Sequence, residues 1–312
     1  MGDAVQFRLV DAFADRPFSG NTAGVVLDAD GLDEGQMVTL AREVNASETA
    51  FISGANDLHR PPRLRWFTPT QEVGFCGHAT LAAAHAYAEL AAPRARPQRS
   101  GAMEFESSAG RLSLNVEPGS DGAAPLWWLK MPPTDLKPAT LNPMKACELL
   151  GLSADDLAPA APLMRTRDED IILLIQSWSR LVEARPNFHE LGRWSERHNV
   201  RGWLVATRAT LDNFADVASR FFAPAVGIDE DPVTGSVHGP LCALLVARGL
   251  VSLTHGRAAL NCVQGRPGGR SGLVRALVES RGGACQVTIG GACHTTIVGE
   301  LRRPAARELE RV

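Results

Sequence analysis

Two segments of this chain are apolar on every helical face. Ala79–Leu90 carries almost no polar position, and Val237–Leu250 repeats the character, most densely over Leu241–Ala247. A helix of that kind has to be surrounded by protein. Other segments pattern differently. Val5–Phe13 puts Val5, Phe7 and Leu9 on one face, and Ala23–Leu27 follows a polar turn; both predict strands. Asp33–Val44 predicts an amphipathic helix, because Met37, Leu40, Ala41 and Val44 fall on one stripe. Ser47–Ile52 and Leu64–Phe67 read as short strands. Met103–Ser108 and Arg111–Glu117 flank Ala109-Gly110, a hairpin signal.

Further along, Trp127–Lys130 resumes strand character. Pro143–Leu150 predicts a short helix with Asn142 as its N-cap. Asp170–Gln176 and Trp203–Thr207 read as buried strands, with a helix between them over Asn187–His198. After the second apolar helix come strands at Ala258–Val263, Gly272–Glu279, Cys285–Ile289 and Thr295–Leu301. Many short strands with few helices indicate an α+β fold and not a doubly wound parallel sheet. The expected architecture is one central apolar helix wrapped by curved, mostly antiparallel sheet, made twice. The best linker is Pro118–Pro125. That gives one half over residues 1–120 with the last strand, about 295–312, returning to it, and the other half over 125–295.

The two apolar helices begin alike. Phe67-Thr68-Pro69-Thr70-Gln71-Glu72-Val73-Gly74-Phe75-Cys76-Gly77-His78 leads into one, and Gly227-Ile228-Asp229-Glu230-Asp231-Pro232-Val233-Thr234-Gly235-Ser236 into the other. Each has an acidic, proline-containing approach, a small or polar residue, glycine, and a polar residue. Repetition of the junction points to pseudo-symmetric halves. If the halves face each other, two helix N-termini converge on one cleft, where free N–H groups favour a small anion, most simply a carboxylate.

Composition narrows the classes. At 312 residues the chain has room for two domains. An apolar fraction of 45% and a charged fraction of 21% are those of an ordinary soluble globular protein. A formal net charge of −3 gives no reason to expect nucleic acid; the basic cluster Arg94, Arg96 and Arg99 reads as a solvated loop. No apolar run reaches the roughly 18–20 residues a bilayer requires, and Met1–Gln6 lacks a secretory pattern. None of the six cysteines forms a C-x-x-C pair, so reduced thiols in a cytoplasm are expected. The histidines lack zinc spacing, no Walker loop is present, and the glycines from Gly265 to Gly272 lie between strands. Neither metal nor cofactor is expected. The partner is a small molecule, with a homodimer left open.

These motifs carry a resemblance. Val10-Asp11-Ala12-Phe13, Pro17-Phe18-Ser19-Gly20-Asn21, Asn45-Ala46-Ser47-Glu48-Thr49-Ala50-Phe51, Arg65-Trp66-Phe67-Thr68-Pro69, Cys76-Gly77-His78-Ala79-Thr80-Leu81-Ala82, and Arg220-Phe221-Phe222-Ala223-Pro224 running into Glu230–Ser236 are similar to those of the PhzF-like isomerase family, within the diaminopimelate-epimerase-like superfamily. Gln264-Gly265 and Val287–Gly291 extend the match over nearly the whole chain. The resemblance implies a cofactor-independent isomerase that moves a proton on a small carboxylate. It implies Glu48 as the acid–base residue, with His78 and Asp231 in the catalytic set. Ser236, Asn21 and Cys76 would line the site, and the Gly77 and Gly235 amides would hold a carboxylate. The sequence departs from the family at Thr22, where proline is usual, and at His238-Gly239-Pro240, where small residues are usual. Both departures bear on the substrate more than on the fold.

Each residue also has a plain structural reading. Glu48 alone reads as a surface glutamate at a strand start; its chemical role needs a carboxylate held partly out of water. His78 reads as a helix-start histidine, Asp231 as a turn residue before Pro232, and Ser236 as a helix N-cap. His85 reads as a packed core histidine, and Gln264 and Arg270 as structural, with Arg270 also within reach of an anion. Cys76 sits where a helix start favours thiolate, but aligning the two junctions by their glycines places Thr234 opposite it. A two-thiol racemase is therefore disfavoured. A racemase, epimerase or dehydratase using Cys76 alone stays open, as does a non-catalytic scaffold.

Overall fold

The computed structural model describes residues 3–57, 59–91, 102–119, 123–159, 162–211, 214–282 and 284–305. The basic cluster at Arg94–Arg99 lies outside them. The chain divides into two compact units, Met1–Leu129 with Gly290–Val312, and Lys130–Ile289. The first part of the chain forms β1 (Ala4–Ala12), β2 (Asn21–Val26), α1 (Glu34–Val44), β3 (Glu48–Ser53), β4 (Arg63–Phe67), β5 (Glu72–Val73), α2 (Gly77–Ala91), β6 (Met103–Ser107), β7 (Gly110–Glu117) and β8 (Leu126–Lys130). Then come β9 (Lys137–Pro138), α3 (Pro143–Leu149), β10 (Met164–Arg165), β11 (Asp170–Leu174), α4 (Trp178–Glu183), α5 (Phe188–Arg197), β12 (Gly202–Thr207), β13 (Val217–Ala223), β14 (Ile228–Asp231), α6 (Gly235–Ala247), β15 (Arg257–Gly265), β16 (Ser271–Arg281) and β17 (Ala284–Arg302).

In the first unit β1 pairs antiparallel with β2, β2 parallel with β3, β3 antiparallel with β4, β4 parallel with β6, and β6 antiparallel with β7. β7 then pairs with β8, β8 with β17, and β17 with β1, closing an eight-stranded barrel. In the second unit β10–β11 is antiparallel, β11–β12 parallel, β12–β13 antiparallel, β13–β15 parallel and β15–β16 antiparallel. The order of steps is the same. Each unit also carries a short extra strand at the matching step, β5 on β4 and β14 on β13, and in the second unit β9 pairs with β10. The fold is α+β with the same plan used twice.

Helix α2 is buried all round because it runs against the barrel wall on several sides. Ala79, Leu81, Ala82, Ala83, Ala84 and Ala86 are fully buried. The helix packs on β1, β2 and β3, while Tyr87 meets Phe105 of β6 and His85 meets Trp127 of β8 edge-on. The interior of an eight-stranded barrel is normally filled by side chains alone; methyl side chains keep this helix thin enough to replace them. Helix α1 is amphipathic by contrast. Asp33 and Gln36 form a capping box at its start, Asn45 closes it in the left-handed conformation, and Met37, Leu40 and Ala41 pack with Phe51 and Phe67. Burial of each such large apolar side chain contributes roughly 1.5–3 kcal/mol. Helix α5 does the same in the second unit, with Leu191 in a cluster with Trp203 and Phe222.

The structure revises several sequence expectations. Cys285–Ile289 and Thr295–Leu301 are one continuous strand, β17. Gly290 and Gly291 mark close packing and not a turn: a Cβ at Gly290 would stand 2.4 Å from the Trp128 ring, and one at Gly291 2.6 Å from the Phe13 ring. Of the expected linker Pro118–Pro125, residues 120–122 lie outside the described residues. The segment leads into β8, which completes the barrel of the first unit, and the second unit begins at Lys130.

The two departures from the family pattern serve the interior. Thr22 Oγ1 donates to Asp11 Oδ1 at 2.6 Å, and the Phe18 amide donates to Asp11 Oδ2 at 2.7 Å, so a buried carboxylate clamps that turn. His238 is fully buried; its Nδ1 lies 2.8 Å from the Thr234 carbonyl and its Nε2 3.3 Å from Ser219 Oγ. Burial lowers the His238 pKa to about 4 from 6.5. The unfolded chain therefore binds this proton at a higher pH than the folded one. Stability from this residue is complete above about pH 6.5 and is lost as pH falls toward 4, by about 3 kcal/mol. His238→Gln is expected to flatten the unfolding free energy over that window by about the same amount in urea titrations; an unchanged slope with pH would show that His238 is not the group responsible.

Candidate active site

In the first unit three expected residues come together around a fourth, His78, the second residue of α2. Glu48 Oε2 lies 3.3 Å from His78 Nε2. Ser47 Oγ lies 3.2 Å from the same nitrogen. On the other side of the ring, Cys76 Sγ and Asn21 Nδ2 each lie 3.4 Å from Nδ1. The backbone explains the convergence. The left-handed Asn45 turns the chain out of α1, so Ser47 and Glu48 arrive at the head of β3. Asn21 heads β2, the parallel neighbour of β3. Cys76 immediately precedes α2, with its carbonyl accepting from the Thr80 amide at 3.0 Å. His78 is buried, while Glu48 keeps 17% of its side-chain surface exposed. The amides of Gly77, His78 and Ala79, in the first turn of α2, have no acceptor among the described residues.

In the second unit Asp231 ends β14, and Gly235 and Ser236 open α6. Ser236 is the second residue of that helix and not its cap. Thr234 occupies the cap position without capping, because its hydroxyl donates to Asp231 Oδ2 instead. Gln264 is fully buried and braces this turn: it accepts from the Thr234 amide at 2.9 Å and donates to the Asp231 carbonyl at 2.7 Å. Arg201 Nη2 donates to Ser236 Oγ at 3.2 Å while its guanidinium pairs with the buried Asp170. Burial pushes the Asp170 carboxyl up from its ordinary range, and Arg201 draws it back down.

Matching strand steps make the two units comparable residue by residue. Asn199 is left-handed like Asn45, and Arg201 follows it by the same interval as Ser47 follows Asn45. Ser47 reaches the second residue of α2, and Arg201 reaches the second residue of α6. Sequence reasoning missed both; their common signal is the second position after a left-handed asparagine ahead of a strand. Glu48 then corresponds to Gly202, and Cys76 to Thr234. The carboxylate and the thiol each occur once.

Glu48, Cys76 and His78 offer ligand atoms within 4.8 Å of one another, a set that could hold a metal ion. The thiol approaches Nδ1 and the carboxylate approaches Nε2, however, so no one ring nitrogen serves both; the arrangement is a hydrogen-bonded chain. A cavity of about 350 Å³ in the second unit is lined by Arg185, Arg220, Asp229, Glu230 and Arg266 and contains none of these residues. Among the described residues no helix is long and apolar enough to cross a membrane.

A family model described as "Phenazine biosynthesis-like protein" matches residues 10–299. An uncharacterized isomerase of Clostridium acetobutylicum is 32% identical over 86% of this chain and 88% of its own length. A PhzF-family phenazine biosynthesis protein of Bacillus anthracis has a similar crystal structure, with a TM-score of 0.83 at 24% identity over 96% of this chain and 99% of that one. A hydroxyproline epimerase of Agrobacterium vitis, solved with bound trans-4-hydroxy-L-proline, shares the fold with a TM-score of 0.61 at 13% identity, covering 96% and 93% of the two chains.

Proposed function

Because this chain belongs to the phenazine biosynthesis-like family, whose relatives carry isomerase names, we propose that it is a cofactor-independent isomerase that shifts a proton between carbons of a small carboxylate. The observation that carries the reading is the lone, partly exposed Glu48 carboxylate against His78 Nε2, with glycine at the corresponding place in the other unit. A single base of this kind removes a proton from a carbon made acidic by a neighbouring carbonyl or conjugated carboxylate and returns it elsewhere. His78 orients Glu48, and the free amides at the start of α2 stabilise charge that develops on oxygen. We assign to Asp231, Gly235 and Ser236 the charge-stabilising and carboxylate-binding roles that the family resemblance implies.

The contact between Cys76 and His78 supports a second reading, a racemase or dehydratase in which the thiol is the base. A scaffold without catalysis is the third, and an intact Glu48–His78 pair weighs against it. The test is a screen of small cyclic and aromatic carboxylates by thermal shift, followed by NMR of the hits in deuterated water. We expect at least one to raise the melting temperature and to take up solvent deuterium at carbon. Uptake that survives Glu48→Gln and disappears on alkylation of Cys76 would move the assignment to the thiol. Separately, sulfate is expected to bind at the starts of α2 and α6; sulfate found only elsewhere on the protein in soaked crystals counts against carboxylate binding there.

A further inference from the structure

The contacts of His78 define a direction. The Asn21 amide nitrogen carries only donor hydrogens, so in the neutral tautomer that matches this contact Nδ1 accepts and the ring proton sits on Nε2, facing Ser47 and Glu48. Cys76 Sγ lies on the accepting side. Nucleophile, base and carboxylate therefore stand in the order that activates a thiol: sulfur to one ring nitrogen, carboxylate to the other. We propose that Cys76, His78 and Glu48 form a thiol acyl-transfer triad, through which this chain cleaves activated esters or thioesters of small carboxylic acids by way of an S-acyl intermediate on Cys76.

The step balances without a further reagent. The Asn21 N–H gives up the single His78 Nδ1 lone pair, the Cys76 proton passes to it, and the sulfur forms a bond to the acyl carbon as the carbonyl pair moves to oxygen. That oxyanion is met by the unpaired amides at the start of α2. Collapse expels the alkoxide or thiolate, which takes the proton from Nδ1. Water, deprotonated by the same nitrogen, then cleaves the thioester to release the acid and restore the thiol. The other buried cysteines are placed differently. Cys147, Cys242, Cys262 and Cys293 keep at most 1% of their surface, against 7% for Cys76. Burial raises the Cys147 pKa to about 11 and that of Cys293 further still, so those thiols stay protonated. Cys285 is the one partly exposed competitor.

The proposal shares the Glu48–His78 pair with the isomerase reading and adds the thiol, which that reading does not use. Full-length protein carrying Cys285→Ser is mixed with 4-nitrophenyl acetate. The expected result is a burst of 4-nitrophenolate of one equivalent per chain, with the acetyl group found on Cys76 by peptide mass spectrometry. Cys76→Ser, a nearly isosteric change, is expected to abolish the burst with the thermal melt unchanged, and Glu48→Gln to slow it by about tenfold or more. A folded protein that gives no burst, or whose burst survives Cys76→Ser, overturns the triad. Deuterium uptake by a carboxylate lost in Glu48→Gln but kept in Cys76→Ser would leave the isomerase reading standing whichever way the burst falls.

Discussion

Glu48→Gln is expected to slow the proton shift by about 10²–10⁴-fold while substrate binding is largely kept. Glutamine has the same length and can still accept a hydrogen bond from His78 Nε2, now 3.3 Å from the carboxylate. What it lacks is the group that gains and loses a proton. A positioned general base supplies about 3–5.5 kcal/mol of barrier lowering at that fold-change. Cys76→Ala is expected to cost about tenfold or less, because Thr234 stands at the corresponding place in the other unit and no second thiol completes a pair. The two variants should be compared by single-turnover kinetics in deuterated water at matched thermal stability. Exchange abolished by Cys76→Ala and intact in Glu48→Gln would replace the one-carboxylate mechanism with a one-thiol racemase or dehydratase.

Arg220→Met is expected to destabilise the second unit by about 3–5 kcal/mol. Arg220 is almost fully buried. Its guanidinium holds Glu230 through two hydrogen bonds of 2.7 and 2.8 Å. It also donates to the carbonyls of Leu181 and Ala184 at 3.1 and 2.9 Å, around the end of α4, and lies over the Phe222 ring. Methionine fills a similar volume but leaves those carbonyls and the Glu230 carboxylate without a donor. The double variant Arg220→Met/Glu230→Gln should recover part of the loss by removing the unpaired charge. Urea unfolding would show this as a lower midpoint for the single variant and an intermediate one for the double. A single variant within about 1 kcal/mol of the parent would mean that water replaces the guanidinium at these acceptors.

The amino-acid sequence by itself determined the elements and their repetition. Apolar periodicity is a local property, so α1, α5 and the two central helices could be read within three residues of their observed ends, the largest miss being the end of α6. The repeated junction before Gly77 and Gly235 announced one plan used twice, and the same strand steps in both units express it. Glu48, His78, Cys76 and Asn21 were also legible, through family motifs. The tertiary structure decided what those residues do to one another. Asn21 and His78 are 57 positions apart, and only the parallel pairing of β2 with β3 beside α2 brings both to one imidazole. It also reassigned residues whose chemistry looked functional. His238, two residues after Ser236 in sequence, is fully buried against Ser219 of β13 because a helix turns its side chains through all directions. Gly290-Gly291, which lies between two expected strands in the sequence, sits inside one continuous strand, with two aromatic rings in the space of its absent side chains. Local pattern sets which segments become helix or strand. Which side chains meet depends on long-range pairing, and no local pattern encodes it.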